Sequence, residues 1–245
     1  MDEDGYFDER IAAAYDDSIG EEFDPGFIDA VVDLLADLAD GGRTLEFAIG
    51  TGRIAVPLSR RGLRVSGIDM SRAMVARLRD KPGADAIDVT IGDMSTTRVD
   101  GSFSLVYLVF NTIENVTTQL GQVDCFRNAA AHLEPGGCFL TEVGVPDLQR
   151  LPPGERFRPF RVSQTGWGFD EYDVVNQGLI SHHFDVVGDR LDRVSMPFRY
   201  AYPAEFDLMA HIAGLRLRDR WSGWQREPFD ELSRKNISVW EKPAD

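Results

Sequence analysis

The chain has 245 residues, 43% of them hydrophobic, and a formal net charge of −15. That length suits one α/β domain with an insertion, and no run of eighteen apolar residues offers a membrane-spanning helix. Residues 1–40 hold fourteen acids against one base, Arg10, the opposite of the field a nucleic-acid enzyme needs. The stretch MDEDGYFDER is acidic and has no apolar run, so no secretory signal is expected. The two cysteines, Cys125 and Cys138, suit a reduced, buried pair in a cytoplasmic protein, and no Cys/His spacing suggests a metal.

The spacing predicts a helix from Tyr6 to Tyr15, with Ile11 and Tyr15 on one stripe. A second is predicted from Pro25 to Leu38, where Phe27, Val31, Leu34, Leu35 and Leu38 recur at helical spacing. Strand 42–49, helix 52–62, strand 64–69, helix 71–80 with Ser71 as its N-cap, and strand 86–92 follow. Strand 104–110, SLVYLVF, is almost wholly apolar, as a central parallel strand should be. Helix 119–134 stops at Glu134-Pro135-Gly136-Gly137 and leads into strand 138–144. Strands alternating with helices mean a doubly wound parallel sheet.

The pattern changes after Pro146. FRPFRVS, FDEYDVV, LISHHFDVV and RLDRVSMPFRYAY alternate with period two, broken at Gly166–Gly168, Asn176-Gln177-Gly178 and Gly188-Asp189. Such alternation with regular turn signals reads as an antiparallel sheet. It precedes a last helix, PAEFDLMAHIAG, and two closing strands in LRLRDRWSGW and KNISVWEK, one returning antiparallel to the other. The expected organisation is a core of residues 1–146, an inserted antiparallel cap over the acceptor site at 147–202, and completion of the core sheet by 203–245.

Three short motifs carry the chemistry. TLEFAIGTGR is a strand running into a glycine turn, where a side chain would keep the backbone from approaching a ligand. Nineteen residues after Gly50, the strand LRVSGID ends in Asp69, a carboxylate able to accept from a ribose diol. A third strand ends in Gly92-Asp93-Met94, where an acid can accept from an adenine amino group. Gly50 to Ala55 also fits a dinucleotide fingerprint, which keeps an NAD-dependent oxidoreductase as an alternative. Against it stands Glu46, a poor neighbour for a pyrophosphate and a good one for a cationic ligand.

In this combination the sequence resembles the class I S-adenosylmethionine-dependent methyltransferases. The family's first motif, an acid followed by alternating glycines, falls on Glu46, Ala48, Gly50 and Gly52, with Ala48 replacing the usual glycine. The resemblance implies a seven-stranded, Rossmann-like sheet and S-adenosyl-L-methionine as cofactor, with S-adenosyl-L-homocysteine as product. It places Asp69 at the ribose and Asp93, with Met94 beside it, at the adenine edge, sets Tyr15 against the methionine moiety or the substrate and Arg53 against the methionine carboxylate, and counts Met70 and Phe110 among the cofactor-binding residues.

Methyl transfer is an in-line displacement, so such a site mainly holds the nucleophile and excludes water. After the fourth strand the chain reads FNTIEN, without the Asn/Asp-Pro-Pro-aromatic signature of nucleic-acid amino-methyltransferases. FNTIEN, AAAHLEPGG and the tail resemble small actinobacterial-type methyltransferases, which include peptide α-N-methyltransferases of the cypemycin type and aminosugar N-methyltransferases. The expected acceptor is therefore a small-molecule or peptide amine, neither nucleic acid nor membrane, bound by a monomer or homodimer. An O-methyltransferase of a small natural product and a non-catalytic cofactor-binding protein are the other readings. Candidate catalytic residues are Tyr15, Glu114, His182 and His183. The two histidines are adjacent on a strand and so face opposite sides. Asn111, Glu114, Tyr200, Trp221 and Trp224 are candidates for the acceptor pocket, with Glu114 the best carboxylate to anchor a cation.

Overall fold

Aspartates start the first two helices in the computed structural model, which describes residues 6–16 and 23–244. Asp8 accepts from the Ile11 N–H and begins α1 (Glu9–Tyr15), later than the sequence suggests because the cap fixes the entry. Asp24 accepts from the Gly26 and Phe27 N–H groups ahead of α2 (Pro25–Ala39). That helix buries Val31, Leu34, Leu35 and Leu38 and ends on Asp40 in the left-handed region.

The main sheet is built from β1 (Arg43–Phe47), β2 (Arg64–Asp69), β3 (Asp88–Ile91), β4 (Phe103–Leu108), β5 (Leu133–Gly144), β10 (Arg216–Trp221) and β11 (Lys235–Glu241). Its order is β10-β11-β5-β4-β1-β2-β3. The first five strands pair in parallel, and β11 runs antiparallel between β5 and β10. The helices are α3 (Ala55–Arg60), α4 (Arg72–Arg79), α5 (Gln119–His132) and α6 (Pro203–Ile212). Alternate residues of a strand face opposite layers. Leu105 and Tyr107 of β4 therefore pack with Leu35 and Leu58 of α2 and α3. Val106 and Leu108 pack with Phe126 and Phe206 of α5 and α6.

The element boundaries move for local reasons. Helix α3 begins after residue 52 because Gly52 has φ +72, and β4 stops short of 110 because Phe110 and Asn111 both have positive φ. Helix α5 gives way at Leu133, which pairs with Phe103, and residues 134–137 bulge out before Cys138 resumes the ladder opposite Leu105.

A second sheet, order β6-β7-β8-β9, is antiparallel throughout. Its strands are β6 (Phe157–Val162), β7 (Gly166–Asp173), β8 (Gly178–Val187) and β9 (Arg190–Arg199). The expected break at Gly166–Gly168 is instead the start of β7. A side chain at 168 would put its Cβ 2.4 Å from the Phe160 ring of the neighbouring strand, so glycine there is a packing requirement and no turn. Both edge strands contain a proline, Pro159 in β6 and Pro197 in β9. Arg199, buried at the end of β9, ties this sheet to the core. It donates to Gln122 of α5, to Gln177 of the β7–β8 turn and, at 2.6 Å, to Glu205 of α6.

Candidate active site

The carboxyl ends of β1 to β4 open on a cavity of about 450 Å³. Its floor is the glycine turn, where Ala48, Gly50 and Gly52 all take positive φ, +53°, +55° and +72°. Asp69, at the end of β2, accepts from the Gly50 N–H at 2.7 Å and from the Ser71 N–H at 2.8 Å. A carboxylate has about four acceptor positions, so these two backbone donors aim it without exhausting it. Helix α1 lies over the same edge. The Ser71 hydroxyl donates to the Phe7 carbonyl, Thr51 donates to Asp16, and Lys81 pairs with Asp16.

Glu46, at 4% exposure, accepts from the Tyr107 hydroxyl at 2.9 Å. Burial raises its pKa to about 8, against the lowering effects of Tyr107, Arg53 and the Ala55 N–H. The Arg53 guanidinium stacks 3.7 Å from the centre of the Phe110 ring, 4.3 Å from Phe23 and 5.9 Å from Tyr15. Three rings and one cation thus make a wall between α1 and the end of β4. Phe110 and Asn111 are consecutive non-glycine residues in the left-handed region. They are held there because the Phe110 N–H donates to Glu142 at 2.6 Å and the Asn111 side-chain oxygen, Oδ1, accepts from the Gly144 N–H. Backbone strain fixed this firmly is characteristic of ligand sites.

The cavity brings together Tyr15, Glu46, Ala48, Gly50, Arg53, Asp69, Met70, Met94 and Phe110 of the residues expected from the sequence. Gly52 serves packing instead: a Cβ there would lie 2.8 Å from Leu78. Asp93 is turned into its own loop, accepting from the Ser95 N–H and hydroxyl, while its neighbours Gly92 and Met94 reach the cavity. Asn111 has its amide oxygen committed to Gly144. Trp224 packs edge-on against Phe27, and Trp221 packs on the same core. Tyr200 packs against Tyr172. His182 bonds Ser195 and Glu171, and His183 bonds Ser181, with neither lining the cavity. Thr112 and Asn115 line the cavity too, as the place of the Asn111–Asn115 stretch after the fourth strand suggests, whereas sequence reasoning missed Phe7, Ser71, Met196 and Pro197. Ser71 follows β2 at the binding edge and was findable on that ground. Met196 and Pro197 arrive from the second sheet and carry no local signal.

Known proteins share this fold. A family described as a methyltransferase domain matches residues 44–137. Over its whole length the chain is 34% identical to the CcbJ methyltransferase from Streptomyces caelestis, with a TM-score of 0.88 and all of both chains covered. The chain belongs to the class I S-adenosylmethionine-dependent methyltransferases. It is also 28% identical to the cypemycin N-terminal methyltransferase from a Streptomyces species, over 83% of this chain and 84% of that protein. The fold is shared with CalS10, an amino pentose methyltransferase from Micromonospora echinaspora, at 20% identity and a TM-score of 0.69, covering 99% and 100% of the two chains.

The cofactor of the family is S-adenosylmethionine, and this methyltransferase has the residues to receive it. The glycine turn forms a cradle that a side chain would crowd, since a Cβ on Gly50 would meet Met74 at 3.3 Å. The fixed Asp69 carboxylate and the buried Glu46 supply acceptors for a hydroxylated, cationic ligand. Among the described residues no helix is long and apolar enough to cross a membrane.

Proposed function

We propose that this methyltransferase methylates an amine on a small molecule or a peptide. The observation that carries the reading is the set of acids around the site. Glu46 and Asp69 stand in the cavity, Arg53, the one cation among the described residues that line it, is stacked on three rings, and Glu114 and Glu142 lie buried beyond the end of β4. Carboxyls that burial holds protonated ionise when a cation arrives beside them, so such a site favours a sulfonium cofactor and an ammonium acceptor. The names of two similar proteins, an N-terminal methyltransferase and an amino pentose methyltransferase, support the same class.

When bound, S-adenosylmethionine supplies a methyl group on a sulfonium, ready for in-line displacement. In this reading Asp69 accepts from the ribose hydroxyls, and the Gly92–Met94 turn, whose shape Asp93 holds by accepting from Ser95, meets the adenine edge. Glu46 answers the positive charge of the methionine moiety. Tyr15, Arg53 and Phe110 exclude water and hold the acceptor in line. The test is turnover of cofactor labelled in its methyl group against panels of amines, phenols and carboxylates. Label on amines supports the proposal, and label on phenols alone overturns it. Titration calorimetry with S-adenosylhomocysteine and NAD(H) separates the two cofactor classes, with binding expected for the former.

A further inference from the structure

Beside the acceptor end of the cavity stands a group of acids, one of which, Glu114, the fold leaves without a hydrogen-bond donor among the described residues. Glu114 lies on the short turn Thr112–Asn115, between two residues that line the cavity, yet exposes only 9% of its surface. Among the described residues no hydrogen-bond donor meets its carboxyl. The charges that act on it are both negative, Asp170 of β7 and Glu142 of β5. Glu142 is already engaged by the Phe110 N–H. Asp170 accepts from Ser181 of β8, whose hydroxyl is in turn bonded by the His183 ring. Arg158, opposite Asp170 in the register of β6 and β7, acts favourably on Asp170 but is itself paired with Asp147 at 2.7 Å.

Register connects this group to the cavity. Asp170, Ser181 and Met196 form one cross-strand row and so share a face of the second sheet, and Met196 lines the cavity. The two carboxyls therefore lie behind the wall made by Thr112, Asn115 and Met196. Met196, unbranched and adaptable, is the part of that wall a ligand can displace. A buried carboxylate without a donor, as Glu114 would be when ionised, is unfavourable unless a cation completes it.

Resting on the amine reading above, we infer that Glu114 and Asp170 form the seat of the acceptor's ammonium group, hold it, and take its proton. In that step one N–H bond of the ammonium breaks and an O–H bond forms on the carboxylate. The freed nitrogen lone pair then bonds the methyl carbon as the carbon–sulfur bond breaks, its electron pair remaining on sulfur. Asp170 is fixed by Ser181 and, through it, by His183, which is a positioning residue. The charged and titratable groups around the pair are Glu142 on β5, Arg158 on β6, Tyr172 on β7 and His182 and His183 on β8.

Two measurements test this. In the first, the full chain and its Glu114→Gln and Asp170→Asn variants are assayed with labelled cofactor on L-alaninamide, a free-amino tripeptide and a 2-amino sugar. Both variants are expected to lose amine kcat/KM by about 100-fold at neutral pH. The acid limb of the profile should move to higher pH while affinity for S-adenosylhomocysteine holds. In the second, the side-chain carboxyl resonances of carbon-13 glutamate are titrated in the presence of S-adenosylhomocysteine, with and without each amine. The Glu114 midpoint should fall when an amine binds, whatever the turnover. Glutamine has the shape of a protonated Glu114, so Glu114→Gln should melt no lower than the parent. Amine turnover within twofold of the parent in both variants overturns the inference and leaves the amine reading standing. A Glu114 midpoint unmoved by all three amines also overturns it. Methylation of phenols with amines inert removes the amine reading and the inference together.

Discussion

Replacing Glu46 by glutamine should flatten the dependence of stability on pH. The carboxyl of Glu46 is buried on β1 against Tyr107 and its pKa is raised from 4.5 to about 8, with burial the largest cause. A raised native value means that the folded protein keeps a proton that the unfolded chain gives up. Stability is then full below pH 4.5 and is lost as pH rises toward 8. At 1.36 kcal/mol per pH unit, the three units from pH 5 to 8 correspond to about 4 kcal/mol, or about half that if the ionised carboxyl draws in water. Glu114, raised to about 8 by burial and by Asp170 and Glu142, adds a similar slope. In Glu46→Gln the amide can donate to the Tyr107 oxygen and accept from the Ala55 N–H, reproducing the protonated acid. Urea unfolding of parent and variant at intervals from pH 5 to 8 is the assay. The variant should lose about half of the parent's decline, and Glu46→Gln with Glu114→Gln most of it. A variant whose stability falls with pH as steeply as the parent's would refute the reasoning.

Asp69→Ala removes the acceptor of the Gly50 and Ser71 N–H groups. It should weaken S-adenosylhomocysteine binding by about 1–3 kcal/mol, and unchanged affinity by calorimetry would withdraw the ribose assignment. Arg199→Met removes the buried donor of Gln122, Gln177 and the half-buried Glu205, which keeps only Gln119 and Gln177, so unfolding in urea should show a loss of about 1–3 kcal/mol. Gly52→Ala combines a left-handed φ of +72° with a 2.8 Å approach to the fully buried Leu78. A destabilisation of about 2–4 kcal/mol is expected, read as a lower melting temperature.

Much of the core was legible because its signals are local. The apolar run of β4, the cap Ser71 and the stripe of α2 each report their own neighbourhood, and the elements appear within a few residues of expectation. Boundaries shifted where the backbone turns left-handed, at Gly52 and at Phe110-Asn111, and nothing in the spelling of FNTIEN announces two such residues in succession. The four segments after Pro146 gave the second sheet, but the reading of Gly166–Gly168 as a turn failed because the reason for glycine is a ring on the next strand. The side of the cavity built on the ends of β1 and β2 follows the strands and was readable. The far side depends on how β9 lies against the Thr112–Asn115 turn. That long-range packing is why Trp221 and Trp224 were expected at the pocket and are found against α2 instead.

The prolines of the outer strands limit how copies of this enzyme can meet. Pro159 is opposite Phe169, and Pro197 is opposite Ile180. Proline has no N–H, and each sits where the missing donor would point away from the sheet. Each rim is therefore one donor short near its middle, and a continuous ladder cannot run across it into another molecule. Edge-to-edge growth, the route by which exposed sheets template aggregation, is interrupted on both sides by a single atom type. Association between copies through this sheet has to use side-chain surfaces, which can be tuned one residue at a time without touching the hydrogen bonds that keep the small sheet in register.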